Sequence, residues 1–168
     1  GLDKNYWLLL DIASNAVLKD LDWFLRQIWL ECCGHMSAFF GKSFGGGRFK
    51  FDMKKRISDF NPGDKLRYVY DMGNSTELTI SIIGETQRPK QKNTVRLLAR
   101  NVAPEFTCAC GKPASSICSR CMYDADNPFL CDDCAKTHEH EALPVVNSPR
   151  MGECGYDGEQ DKWTFEPG

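Results

Sequence analysis

The pattern of apolar and polar positions predicts a strand and then a helix near the start of the chain. The segment YWLLLDI at positions 6–12 is rich in large apolar and aromatic residues, which indicates a buried strand. After it, apolar side chains recur at intervals of three and four, the spacing of one helix face. These side chains are Val17, Leu21, Phe24, Leu25, Ile28 and Cys32. Ser14 or Asn15 is placed to cap the start of this helix, and Gly34 to end it.

The segments that follow favour strands. MSAFF at 36–40 and RFKFDM at 48–53 flank a glycine cluster, so a hairpin is expected there. Three further runs are rich in β-branched or aromatic residues: LRYVYDM, STELTISIIGE and TVRLLARNV. Because short links join these runs, we expect an antiparallel sheet with the helix packed on one face. The prediction is an α+β domain spanning residues 1–103.

The hydrophobic content and periodicity of the sequence change after this domain. From residue 104 onward apolar residues are sparse and no periodicity persists. Too few apolar side chains are present to offset the conformational entropy lost when about 50 residues become ordered. We therefore expect another source of stability in residues 104–155, followed by an acidic tail at 156–168.

Cysteines and histidines supply a candidate for that stability. Eight of them form four close pairs, with the patterns CxC, CxxC, CxxC and HxH. They are Cys108, Cys110, Cys118, Cys121, Cys131, Cys134, His138 and His140. A tetrahedral zinc ion takes four sulfur or nitrogen ligands, so four pairs predict two zinc ions. Sites closed in this way are structural, because no coordination position remains for water or substrate.

The pairing of these ligands has two solutions. In a cross-brace, the CxC pair shares one ion with the second CxxC pair, and the first CxxC pair shares the other ion with the histidines. Sequential pairing is the alternative. A disulfide framework would need an oxidising compartment and would leave the histidines unused. Cys154 could replace one of the histidines as a ligand, or it could be a small buried residue in a turn.

The segment ECCGH at 31–35 is a second candidate for chemistry. Cys33 and His35 could form a nucleophile and its base, or they could belong to another metal site. Alternatively, Cys32 continues the apolar helix face, Cys33 is an ordinary buried thiol and His35 caps the last helical carbonyls. A helix C-terminus disfavours a thiolate, which argues against an activated cysteine.

The net charge differs between the two parts of the chain, and this difference bears on whether each part could bind nucleic acid. Residues 1–100 have a balance of +5, whereas residues 101–168 have a balance of −7. The acidic zinc module would repel phosphate, which favours a protein partner. Basic residues of the first domain alternate with phenylalanines and could bind nucleic acid, although a solvated face is the simpler interpretation. The residues are Lys42, Arg48, Lys50, Lys54, Lys55, Arg56, Arg88, Lys90 and Lys92, with Phe44, Phe49 and Phe51.

Apolar runs are all much shorter than the roughly 20 residues that span a bilayer, so no membrane association is expected and a cytoplasmic location is the default. The basic first domain could also dock the acidic second half within the chain.

Several of these segments resemble the plasmid pRiA ORF-three-like family. The resemblance lies in YWLLLDI, LKDLDWFLRQIWLECCGH, MSAFF and YVYDMGNSTEL, which cover most of residues 6–83. In the last segment Met72 stands where the family has phenylalanine, and the histidine-bearing sequence that follows in many members is missing. The C-terminal cysteine array is similar to a zinc-bearing extension of some members, and loosely to MYND-type and HIT-type fingers. That likeness implies protein contacts.

Together these observations favour a non-catalytic interaction or adaptor protein stabilised by two zinc ions. Two alternatives remain at this point: a nucleic-acid-associated protein of mobile elements that uses the basic face, and an enzyme centred on Cys33 and His35.

Overall fold

The computed structural model describes residues 5–42, 46–87 and 94–158. Its strands are β1 (Leu8–Ile12), β2 (Ser37–Lys42), β3 (Arg48–Lys50), β4 (Lys65–Tyr70), β5 (Thr76–Ser81), β6 (Val95–Arg100), β7 (Ser116–Cys118), β8 (Phe129–Leu130) and β9 (Ala142–Pro144). Its α-helices are α1 (Leu18–Leu25), α2 (Cys121–Asp124) and α3 (Asp132–Lys136). The α+β fold class predicted from the sequence is confirmed. Phe44, Arg88, Lys90, Lys92 and residues 159–168 of the predicted tail lie outside the described residues.

The main helix begins later than predicted. Its N-cap is Val17, and the carboxylate of Asp20 accepts the Val17 N–H at 2.9 Å. Ser14 and Asn15 do not cap it, because the chain first forms a turn in which the Ala16 N–H bonds the Ala13 carbonyl. The helix continues beyond α1 as a π-helical segment, Arg26–Leu30. Glu31 is already extended, so Cys32 lies beyond the helix instead of continuing its apolar face.

Four strands form the larger sheet, in the order β3-β2-β4-β5 with antiparallel pairing throughout. The predicted hairpin is confirmed as β2 and β3. The main helix and this sheet enclose the core, which includes Leu21, Phe24, Ile28, Phe39 and Tyr68. Within it, the Tyr68 hydroxyl donates to Asp22 at 2.7 Å, so the buried carboxylate has a partner.

The sixth strand does not extend this sheet. Instead β6 pairs with β1 in a separate antiparallel ladder, with Leu8 opposite Arg100 and Ile12 opposite Val95. The expected antiparallel pairing is present, but the strands are divided between two sheets, because local patterning identifies strands without identifying their partners. The prediction that β1 is buried was also wrong: most of its side chains are half-buried, and Leu9 is exposed.

The C-terminal part is built around a small sheet in the order β8-β7-β9. After β9, residues 147–156 return to the first part of the chain. The Ser148 hydroxyl donates to the Trp29 carbonyl at 2.6 Å, and Arg100 donates to the Asn147 carbonyl at 3.0 Å. Within the described residues, no helix is both long enough and apolar enough to span a membrane.

Candidate metal centres

The first cluster contains Cys108, Cys110, Cys131 and Cys134. A tight turn positions the CxC pair: the Gly111 N–H bonds the Cys108 carbonyl at 2.8 Å, and Gly111 has a φ of +86° that suits glycine. The second pair spans the start of α3, where Cys131 is the N-cap. The sulfurs of Cys110 and Cys131 are 3.6 Å apart. A turn and a helix start thus direct four sulfurs to one point.

The second cluster contains Cys118, Cys121, His138 and His140. Cys118 ends β7 and Cys121 begins α2, and the Cys121 N–H donates to the Cys118 sulfur at 3.3 Å. The histidines follow α3. The Cys121 sulfur lies 3.4 Å from His138 Nε2 and 3.7 Å from His140 Nδ1. These contacts join the first CxxC pair to the HxH pair.

The eight side chains therefore group in the interleaved order and not in the sequential one. Within each cluster, the four candidate ligand atoms all lie within 4.8 Å of one another. The contacts of 3.4–3.7 Å given above are close to the spacing of ligand atoms around one tetrahedral zinc ion, about 3.5–3.8 Å. Either cluster could hold a metal ion.

Thiol ionisation in these clusters is uneven. Hydrogen bonds from the backbone N–H groups of Cys110 and Cys131 lower the pKa of Cys108 to about 6. Hydrogen bonding to Cys108, Cys131 and Cys110 raises the pKa of Cys134 to about 12. In the second cluster, burial opposes ionisation of Cys118, but the Cys121 N–H and His138 lower its pKa to about 6. In each cluster the pKa of some thiols is thus lowered while that of a neighbour is raised, and a bound cation would offset the repulsion between neighbouring thiolates.

A third cluster lies at the end of the main helix and unites Cys32, Cys33 and His35 with Cys154. The Cys33 sulfur is 3.1 Å from His35 Nε2 and 3.7 Å from the Cys154 sulfur. Sequence reasoning treated ECCGH and Cys154 separately. Cys154 is not a substitute for a module histidine, and neither Cys154 nor Cys33 is a buried thiol, since both are exposed.

This arrangement does not favour Cys33 as an activated nucleophile. Hydrogen bonding to Cys154 and then to Cys32 raises the pKa of Cys33 to about 11. An activated nucleophile would need the opposite shift. The His35 ring contacts the Cys33 and Cys154 sulfurs instead of capping the helix.

A simple count could have revealed the third cluster. The chain has nine cysteines and three histidines, which divide without remainder into three sets of four. Each of these twelve residues belongs to one of the three clusters. The four residues left over from the eight-ligand array were the signal: Cys32, Cys33, His35 and Cys154.

A buried ion pair lies next to the third cluster. Arg150 is completely buried; its Nη2 donates to the Asp71 carboxylate at 2.7 Å and lies 3.7 Å from the Cys32 sulfur. Asp71 has a φ of +61° and also accepts the N–H groups of Gly73 and Asn74. Although burial opposes ionisation, these donors lower the pKa of Asp71 to about 2.

The charges of this ion pair are opposite to the net charges of the two parts of the chain that supply them. The base comes from the acidic C-terminal part and the acid from the basic N-terminal part, so this contact is not a basic domain docking an acidic one.

The basic face of the first part is partly engaged within the protein. Lys55 lies over the rings of Phe51 and Phe60 and pairs with Asp59. On the edge strand β3, all three residues are exposed, including Phe49. Among the described residues of this face, Lys42, Lys54 and Arg56 are exposed as well.

The fold and clusters define an α+β protein with three sets of side chains suited to metal ions. Comparison with family models, with curated proteins and with solved structures finds no match for this chain.

Proposed function

We propose that this chain is a zinc-binding, non-catalytic interaction protein whose C-terminal module is organised by two structural zinc ions. The observation that carries the proposal is the interleaved grouping of eight ligands into two closed sets of four. One ion would be held by Cys108, Cys110, Cys131 and Cys134, and the other by Cys118, Cys121, His138 and His140. Thiolate and imidazole ligands suit zinc, and a set of four leaves no position for a substrate.

The sparse core of the module supports a structural role for the metal. Between residues 104 and 155, the fully buried apolar side chain is Ile117, alongside three buried cysteines of the clusters themselves. β7, β8 and β9 are only two or three residues long. Strands this short do not hold a fold by themselves. Zinc would supply the missing stability.

Charge supports a protein partner over a nucleic acid. From Glu105 to Glu141 the chain has seven acids and three bases, and a zinc ion held by four thiolates adds a charge of about −2. This surface would repel a phosphate backbone. The resemblance of residues 6–83 to the pRiA ORF-three-like family stays a proposal about the first domain and supplies no partner.

The metal is tested by analysing the full chain, purified under reducing conditions without added zinc. We expect bound zinc, and loss of one equivalent when Cys108 and Cys131 are both replaced by serine. A strong chelator should collapse the dispersion of NMR signals from residues 104–145. A metal-free protein whose C-terminal part is fully ordered would refute the structural role.

The partner class is tested by fluorescence anisotropy with single-stranded and double-stranded oligonucleotides at low and moderate salt. The proposal predicts no specific binding. Binding that weakens steeply with salt, and that is lost on charge reversal of Lys54, Lys55 and Arg56, would instead establish the nucleic-acid alternative.

A further inference from the structure

We propose that Cys32, Cys33, His35 and Cys154 bind a third zinc ion, which fastens the returning C-terminal segment to the end of the main helix. This site lies outside the two clusters of the module and joins residues 119 to 121 positions apart in the sequence. Its geometry, its local backbone and its surroundings each support a metal.

The distances match a tetrahedral ion. Zinc–sulfur bonds of about 2.3 Å place two sulfurs of a tetrahedron about 3.8 Å apart. The Cys32 and Cys33 sulfurs are 3.8 Å apart, and those of Cys33 and Cys154 are 3.7 Å apart. A disulfide would need about 2.05 Å. The same spacing occurs in the first module cluster, where two sulfurs are 3.6 Å apart.

The histidine supplies the fourth candidate ligand. A zinc–nitrogen bond of about 2.0 Å places the imidazole nitrogen about 3.5 Å from each sulfur. His35 Nε2 lies 3.1 Å from the Cys33 sulfur and 3.2 Å from the Cys154 sulfur, so the ring needs to move by only a few tenths of an ångström.

The backbone on both sides turns sharply to present the ligands. Glu31 leaves the helix in an extended conformation, and Gly34, with a φ of +81°, reverses the chain so that His35 rejoins the two cysteines. The Glu31 carboxylate accepts the Gly34 N–H and holds this turn. On the other side, Cys154 has a φ of +47°, a left-handed conformation that is uncommon for cysteine. A metal bond gives this conformation a reason.

The surroundings provide charge compensation. Three thiolates and one Zn²⁺ have a net charge of about −1. The buried guanidinium of Arg150 lies 3.7 Å from the Cys32 sulfur, and the Tyr70 hydroxyl lies 3.7 Å from the same sulfur. The Arg150 guanidinium is itself held by its ion pair with the Asp71 carboxylate at 2.7 Å. Such groups hold ligands in place around a metal.

The ion would link the end of the main helix to the segment that contains Cys154. Four ligands leave no open position, so the site is structural in the same sense as those of the module. It adds to contacts that already join residues 147–156 to the first part, such as Ser148 with Trp29.

The test counts zinc in the full chain and in two double variants. The first removes Cys33 and Cys154 as Cys33→Ser with Cys154→Gly, because glycine accepts the left-handed backbone at position 154. The matched control removes Cys108 and Cys131 as serines. We expect three equivalents of zinc in the parent and two in each variant. Circular dichroism verifies that the α+β part of both variants folds.

The outcomes separate this inference from the proposed function. A first variant that keeps all of the parent's zinc, while the control loses one equivalent, overturns the third site and leaves the module intact. The reverse pattern supports the third site and refutes the module. A parent protein that carries a Cys33–Cys154 disulfide, detected by alkylation and mass spectrometry, also overturns the third site.

A second measurement tests the fastening role. The backbone N–H of Arg150 donates to the Ser148 hydroxyl at 2.9 Å within residues 147–156. We expect its hydrogen exchange to be faster, by tenfold or more, in the first variant than in the parent. Loss of one zinc equivalent without any change in this exchange rate would show that the ion does not fasten the segment.

Discussion

Replacing Arg150 with methionine should strongly destabilise the protein. The Arg150 side chain is completely buried, donates to the Asp71 carboxylate at 2.7 Å and to the Asn74 carbonyl at 2.8 Å, and lies over the Tyr70 ring. Methionine fills similar space but leaves the carboxylate without its cation. Removing one partner of a buried ion pair costs about 3–5 kcal/mol. Two backbone N–H groups continue to stabilise the carboxylate, so we expect a loss of about 3 kcal/mol in the free energy of unfolding.

The assay is urea unfolding in zinc-containing buffer, followed by circular dichroism, with thermal unfolding as a second measure. For a chain of this length, a loss of about 3 kcal/mol corresponds to a fall of roughly 6–12 °C in Tm. Arg67→Met is the matched control, because Arg67 pairs with Glu77 on a partly exposed strand face and its loss should cost less than about 1 kcal/mol.

A double-mutant cycle decides whether the ion pair is the cause. Asp71→Asn removes the charge but tolerates the left-handed backbone at this position. Combined with Arg150→Met, it should cost less than the sum of the two single changes, by about 1–3 kcal/mol. Costs that simply add, or an Arg150→Met variant no less stable than the Arg67→Met control, would refute the reasoning.

Three further changes test the packing. Tyr68→Phe removes the hydroxyl that donates to Asp22 and should cost about 1.5–3 kcal/mol by urea unfolding; a neutral effect would contradict the role of that bond. Phe24→Ala empties a fully buried core position and should cost about 3–5 kcal/mol in the same assay. Gly152→Ala should lower Tm more than Gly63→Ala, because both have positive φ but only the first would place Cβ 3.0 Å from a methionine sulfur. Equal effects of the two glycine changes would refute that contact.

Local signals predicted the elements of this fold well. Runs with β-branched or aromatic residues identified β4, β5 and β6, and the glycine cluster identified the hairpin of β2 and β3. Pairing could not be read in the same way, because nothing within Val95–Arg100 specifies β1 as its partner. The helix start was misplaced because Asp20 reaches back to a valine that has no capping side chain.

The clusters show the same limit. Close pairs such as Cys118 and Cys121 can be recognised from their spacing in the sequence, because a short turn brings them together. Cys33 and Cys154 meet only after the whole chain has folded, since 121 positions separate them. Their association could be found from the sequence only by counting ligands across the chain.

The pairing of β1 with β6 has a consequence for how the protein is made. The partner of the first strand emerges from the ribosome 83 to 92 residues after it, judging from the pairs Ile12–Val95 and Leu8–Arg100. At synthesis rates of about 5–20 residues per second, β1 waits about 4–18 seconds before it can form its ladder. During that interval the apolar edge of β1 can pair with other nascent chains. We therefore expect β1 to need protection from aggregation until β6 has been synthesised.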